Sequence, residues 1–208
     1  MRRMLMTSLI GTLLMAASLS AQAGPPSREE VRTFPGPGSV VAGADATLVR
    51  QPDGISFTFA GTGLTGGNGY TIWFVAFNDP AECSSPMMDG PTLISLCGLP
   101  DLSNPDAQPT AVWGAGHFAG KSGKATLGGR VALGDTSGCD GLGRLPCNDG
   151  LTNPEDAEIH LVLRTHGPKI PEVANEQIHS FNRGCETGEP NAGPPSLCAN
   201  VQFAAFLP

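Results

Sequence analysis

Asp156-Ala-Glu-Ile-His160-Leu-Val-Leu-Arg-Thr-His166-Gly-Pro168 decides how this chain of 208 residues is read. Ile159, Leu161 and Leu163 fall on one face of a period-2 ribbon and Glu158, His160, Arg164 and His166 on the other, with only Val162 interrupting the alternation. The pattern predicts a strand with one face in a core. Its second face, which carries two of the chain's four histidines, either meets water or holds chemistry.

Outward from this stretch, other segments share the same period. Ala46 to Arg50 and Ile55 to Ala60 flank Gln51-Pro52-Asp53-Gly54, where proline sets one dihedral and Asp-Gly supplies a positive-φ position, so a hairpin is predicted. Tyr70 to Phe77 is apolar on both faces, as a central strand covered on both sides would be. Thr110 to Ala119 and Lys124 to Leu133 read as a second hairpin around Gly120-Lys-Ser-Gly123, with Ala125, Leu127, Val131 and Leu133 in phase. Pro171 to His179 suits a short helix, and Val201, Phe203, Ala205 and Leu207 a closing strand. Six or seven strands, long loops and no βα alternation predict an all-β fold, an antiparallel Greek-key β-sandwich, with a closed barrel as its alternative.

The N-terminus reads as an export signal: basic Arg2 and Arg3, an apolar run from Leu5 to Leu19, and Ala21-Gln22-Ala23 as the cleavage site. Residues 1–23 are thus expected to be a signal peptide, 24–39 a Pro/Gly-rich leader that buries no face, and 40–208 one domain. Six cysteines follow, and an even count in an exported chain points to disulfides. They fall as sequence-local couples inside Gly/Pro/Asn/Asp-rich loops, which favours Cys83–Cys97, Cys139–Cys147 and Cys185–Cys198. A zinc site is disfavoured by the absence of Cys-x-x-Cys and of short Cys/His spacings. The whole chain carries 12 basic and 19 acidic side chains. Such an acidic balance lacks the basic footprint that nucleic acid or an anionic membrane surface demands. The expected setting is periplasmic or secreted, with no membrane insertion after signal cleavage and partners undefined.

Several motifs resolve into plainer readings. Gly61-Thr-Gly-Leu-Thr-Gly66-Gly67 leads into a strand, not a helix, and is no dinucleotide loop. Gly134-Asp-Thr-Ser-Gly138 departs from a protease serine motif by an inserted threonine, and Gly-x-Ser-x-Gly is absent. Asn148, Asp149, Glu155 and Asp156 cluster oxygens that could hold calcium, but without EF-hand spacing. His117, His160, His166 and His179 are the candidate ligands for a transition metal. On an unbroken strand His160 and His166 stand about 20 Å apart, at roughly 3.3 Å per residue, too far for one ion. His166 with His179 is the better pair, since both bound the Gly167 to Ile178 excursion. The competing reading has each imidazole bonded to loop backbone, with no cofactor and no catalytic residue.

Leu64-Thr65, Tyr70 to Pro80, Ala157 to Pro168, Glu176-Gln-Ile-His179, Cys185 and Cys198 to Phe203 together resemble a group of exported bacterial β-sandwich proteins of uncharacterised function. More distantly, the strand order is similar to that of the CHRD domain and the copper/zinc superoxide dismutase sandwich. The dismutase copper site includes a His-x-His pair on one strand; this chain has none, so the resemblance implies the fold and not the metal site. The expected function is a non-catalytic binding or envelope-associated module, with a metal-binding protein or metal-dependent enzyme as the alternative.

Overall fold

A computed structural model describes residues 23–140, 145–185 and 198–208. Residues 1–22, nearly all of the expected signal peptide 1–23, lie outside the described residues. Among the described residues there are ten strands: β1 (Ser27–Thr33), β2 (Val40–Gln51), β3 (Gly54–Gly61), β4 (Asn68–Phe77), β5 (Met87–Asp89), β6 (Thr92–Ser95), β7 (Pro109–Phe118), β8 (Ala125–Ala132), β9 (Glu158–Pro168) and β10 (Cys198–Phe206). Eight of them form one sheet in the order β7-β4-β9-β10-β1-β2-β3-β8, and β5 pairs with β6 in a separate small hairpin. Every pairing in both sheets is antiparallel.

The predicted all-β antiparallel class is what forms, and its sheet curls until β7 and β8, the two ends of the order, meet. This is the barrel alternative in nearly closed form. Around that seam β4, β7 and β8 follow one another and β9 returns to lie beside β4, a Greek-key connection. The segments predicted to form a second hairpin therefore do not pair in register. β7 hydrogen-bonds to β4 and β8 to β3, and they touch only where the barrel shuts. Two glycines allow that approach: a Cβ on Gly129 would strike the carbonyl of Gly114, and the Phe57 ring lies against both positions.

The Gln51-Pro52-Asp53-Gly54 turn joins β2 to β3 as predicted, with Gly54 at φ 146°, which side-chain-bearing residues avoid. Inside the barrel, Leu48, Ile55, Phe59, Ile72, Phe74, Ile159, Leu161 and Leu163 are all fully buried. Each contributes about 1.5–3 kcal/mol by leaving water. Leu133 was in phase with this set but lies one residue past β8 and is exposed.

The leader expectation for 24–39 needs correction. Ser27–Thr33 is a strand held between β10 and β2, and it buries Val31 and Arg32. Neighbouring strands supply its hydrogen bonds, so it needs no apolar alternation of its own. Arg32 then reaches outward to the carboxylate of Asp89 at 2.8 Å and to the carbonyl of Gly38 at 3.1 Å, pinning the β5–β6 hairpin to the barrel.

A second apolar cluster lies on the other side of the same sheet. Val75 and Phe77 of β4, Ala111 of β7, Val162 of β9, and Phe203 and Ala205 of β10 pack with Cys97 and Ala107 of the 78–108 excursion. Val162, the residue that broke the alternation, belongs to this outer core. The excursion folds over the outside of the barrel and turns that face into an interior.

Candidate functional site

All three expected cysteine pairs are bonded: Cys83–Cys97, Cys139–Cys147 and Cys185–Cys198, with Cα separations of 5.1, 5.8 and 5.7 Å. Three disulfides suit an oxidising, extracytoplasmic environment. Cys83–Cys97 staples the excursion that covers the outer sheet face. Asp101, 1 % exposed, anchors the same excursion by accepting from the backbone N–H groups of Ser84, Ser85 and Gly98 and from the Ser84 hydroxyl. Burial alone would raise the pKa of this carboxyl, but the four donors outweigh it and hold the group below the usual range.

Glu158 is the second anchor, and it comes from the sheet. Its side chain is 0 % exposed; Oε2 accepts from Leu96 N–H at 2.8 Å, and Oε1 accepts from Cys97 N–H at 3.0 Å. Oε1 also lies 2.7 Å from Nε2 of His160. Two residues apart on β9, Glu158 and His160 share the outer face, so the strand period itself sets this pair side by side. A carboxylate only accepts, which places the Nε2 proton on the imidazole and the lone pair of a neutral ring on Nδ1. Among the described residues that Nδ1 has no hydrogen-bond partner.

His160 borders a cleft of ≈ 250 Å³ between the outer sheet face and the excursion. Val75, Phe77, Val162 and Phe203 form its floor. Phe34 and Gly36, from the segment expected to be a featureless leader, form one wall, and Met87, Leu99 and Leu102 of the excursion form the other. Phe77 meets the His160 ring edge-on at 5.3 Å between centroids, and Phe34 meets Phe203 likewise at 6.2 Å. The cleft is thus an apolar slot with one imidazole set into it. Ser85 also lines it, with no hydrogen bond to His160.

The remaining histidines sit elsewhere. His166, 1 % exposed, donates Nδ1–H to the carbonyl of Arg183 at 2.9 Å and accepts at Nε2 from the Thr71 hydroxyl at 2.9 Å, so neither ring nitrogen is free. Desolvation pushes its pKa down to about 4; the Arg183 carbonyl works against that shift, and the charge of Arg164 adds to it. His179 closes the predicted short helix, here a 3-10 turn (Pro171–Val173) and α1 (Ala174–Ile178), and its Nδ1 donates to the carbonyl of Asn175. Its ring lies on Trp113 at 5.4 Å. His117 is exposed on β7, opposite Tyr70. Among the described residues, no three His, Cys, Asp or Glu side chains gather as a metal would need. Beside His166 lies Gln177, which donates to the carbonyls of His166 and Pro168.

Of the calcium candidates, only Asn148 has a side-chain hydrogen bond among the described residues of the kind local structure uses. Asn148 donates to the carbonyl of Pro109, and Asn153 accepts from the N–H of Asp156, while Asp149 and Glu155 are exposed. A larger, more polar cleft of ≈ 440 Å³ lies near the barrel seam, lined by Trp113, Arg130, Asp135 and His179 among others. Several of its polar groups are engaged: Arg130 with Asp53 and Gln51, Trp113 Nε1 with the Ile178 carbonyl, Asp135 with Ser137 N–H. It presents no unpartnered buried group comparable with His160.

The sequence period places Glu158 and His160 on one face and leaves open whether that face meets water or holds chemistry; it is covered by the excursion. The missed signal is the length of the 78–109 excursion, whose cysteines and prolines needed a surface to fold against. No family model, no curated protein and no solved structure matches this chain.

Proposed function

We propose that this protein is an extracytoplasmic binding module, periplasmic or secreted, that holds a small apolar molecule in the cleft between its barrel and its Cys83–Cys97 excursion. One observation carries the reading: a mostly apolar slot bordered by His160, whose imidazole is fixed by a fully buried carboxylate and retains one nitrogen for a guest. Binding pockets combine apolar walls with a few placed polar groups in this way, whereas a merely structural outer core would be packed shut. The acidic net charge of −7 argues against nucleic acid as a partner. Among the described residues, no helix is long and apolar enough to cross a membrane. The envelope-associated setting expected from the signal segment fits a carrier or sensor of small molecules.

Thermal unfolding with ethylbenzene as the probe tests this. At tenfold excess over its dissociation constant, a ligand bound only by the folded state adds about 1.4 kcal/mol and raises Tm by roughly 3–6 °C for a chain of this size. Val162→Trp, which fills the slot from its floor, should abolish the shift. An unchanged Tm at saturating probe contradicts the reading.

A further inference from the structure

Resting on the binding-module reading, we infer that the cleft selects a small neutral phenol, a single aromatic ring bearing a hydroxyl that donates to Nδ1 of His160. Size comes first. An apolar cavity of about 150 Å³ holds benzene. The ≈ 250 Å³ here therefore seats one ring with a short substituent. The walls favour a ring over a chain: Phe34, Phe77 and Phe203 border the slot, and all three already make edge-to-face contacts there, Phe34 with Phe203 and Phe77 with His160.

The polar group defines the rest. The His160 side chain is 10 % exposed, and its Nε2 proton is committed to Glu158 at 2.7 Å. Nδ1 then offers an acceptor, so the complementary guest is a donor. A carboxylic acid would arrive at neutral pH as an anion beside the fully buried Glu158 carboxylate, two like charges sharing one imidazole. An ammonium group would be stripped of water in a mostly apolar slot that offers no carboxylate free to pair with it, since both Glu158 oxygens are already engaged. A neutral hydroxyl carries neither penalty, and the phenolic hydroxyl is a more acidic donor than an aliphatic one. The excursion that carries Leu96 and Cys97 is tied to the same carboxylate, so the reader and the roof of the slot are set by one residue.

The test compares four probes on the native protein at neutral pH by calorimetric titration: 4-ethylphenol, its O-methyl ether, ethylbenzene and 4-ethylbenzoate. The phenol is expected to bind at least about tenfold more tightly than ethylbenzene or the ether, as one satisfied buried hydrogen bond requires, with the benzoate weaker than the phenol. His160→Phe should bring the phenol and ethylbenzene to within about twofold of each other while ethylbenzene binding persists. The probe series needs no variant and decides the question even if that substitution disturbs folding. Equal binding of phenol, ether and ethylbenzene, or tightest binding of the benzoate, overturns the phenol assignment and leaves the binding module standing. Binding of none of the four overturns both.

Discussion

Replacing Glu158 by alanine is expected to cost the fold about 3–5 kcal/mol, because it removes the acceptor of three buried donors, each costing about 1–3 kcal/mol when left unpaired. The substitution strands the N–H groups of Leu96 and Cys97 and the Nε2–H of His160 in an interior with no other acceptor among their observed bonds. Urea unfolding gives the stability change. Hydrogen exchange at Leu96 and Cys97 locates it, because the loss should begin as release of the Cys83–Cys97 excursion from the sheet. A change below about 1 kcal/mol would mean that the carboxylate does not hold the excursion, since each orphaned buried donor alone costs that much. Glu158→Gln keeps an acceptor for one donor and should fall between alanine and the native residue.

The second large effect is a pH dependence centred on His166. Its folded-state pKa is about 4, lowered from 6.5 chiefly by desolvation, so the unfolded chain binds the proton more readily than the folded one. Stability from this group is fully present above pH 6.5 and is lost as pH falls from there toward 4. The size is about 2 kcal/mol lost between neutral pH and pH 5, and about 3 by pH 4. Thr71, Arg183 and Arg164 are the groups around it, and none supplies a negative charge that would retain the proton. Comparing urea unfolding of the native protein and His166→Asn at neutral pH and pH 5 isolates this contribution from the carboxylates. The stability gap between the two proteins should shrink by about 2 kcal/mol on acidification. An unchanged gap would show that His166 is protonated inside the fold.

Both effects arise on β9, the strand whose alternation was plainest, and they show what a period-2 pattern can and cannot say. Ile159, Leu161 and Leu163 had to share a face, and that face is the barrel interior. The same pattern is silent on what covers the other face. Glu158, His160 and His166 are polar, yet each is buried: Glu158 and His166 bond to segments far along the chain, and His160 bonds to Glu158 two residues away. A buried polar residue and an exposed one differ only in those partners, and local periodicity carries no record of them.

β1 was missed for the related reason that Ser27-Arg-Glu-Glu-Val-Arg-Thr33 has no alternation to detect. It is a strand because β10 and β2 offer it unpaired backbone on both sides. The cysteine pairs, by contrast, were readable because each bond spans a short separation of 8 to 14 residues. The hairpin around Gly120 to Gly123 was read correctly as a turn and wrongly as a pairing. A tight turn fixes the chain reversal, while barrel closure decides which strands bond.

The most direct measurement is an anomalous-scattering map from a crystal soaked in 4-iodophenol. The expected result is an iodine peak in the slot between Phe77, Val162 and Phe203, with the phenol oxygen within hydrogen-bond reach of His160 Nδ1. An iodine peak in the barrel interior or in the polar cleft beside Trp113, with the slot empty, would contradict the account.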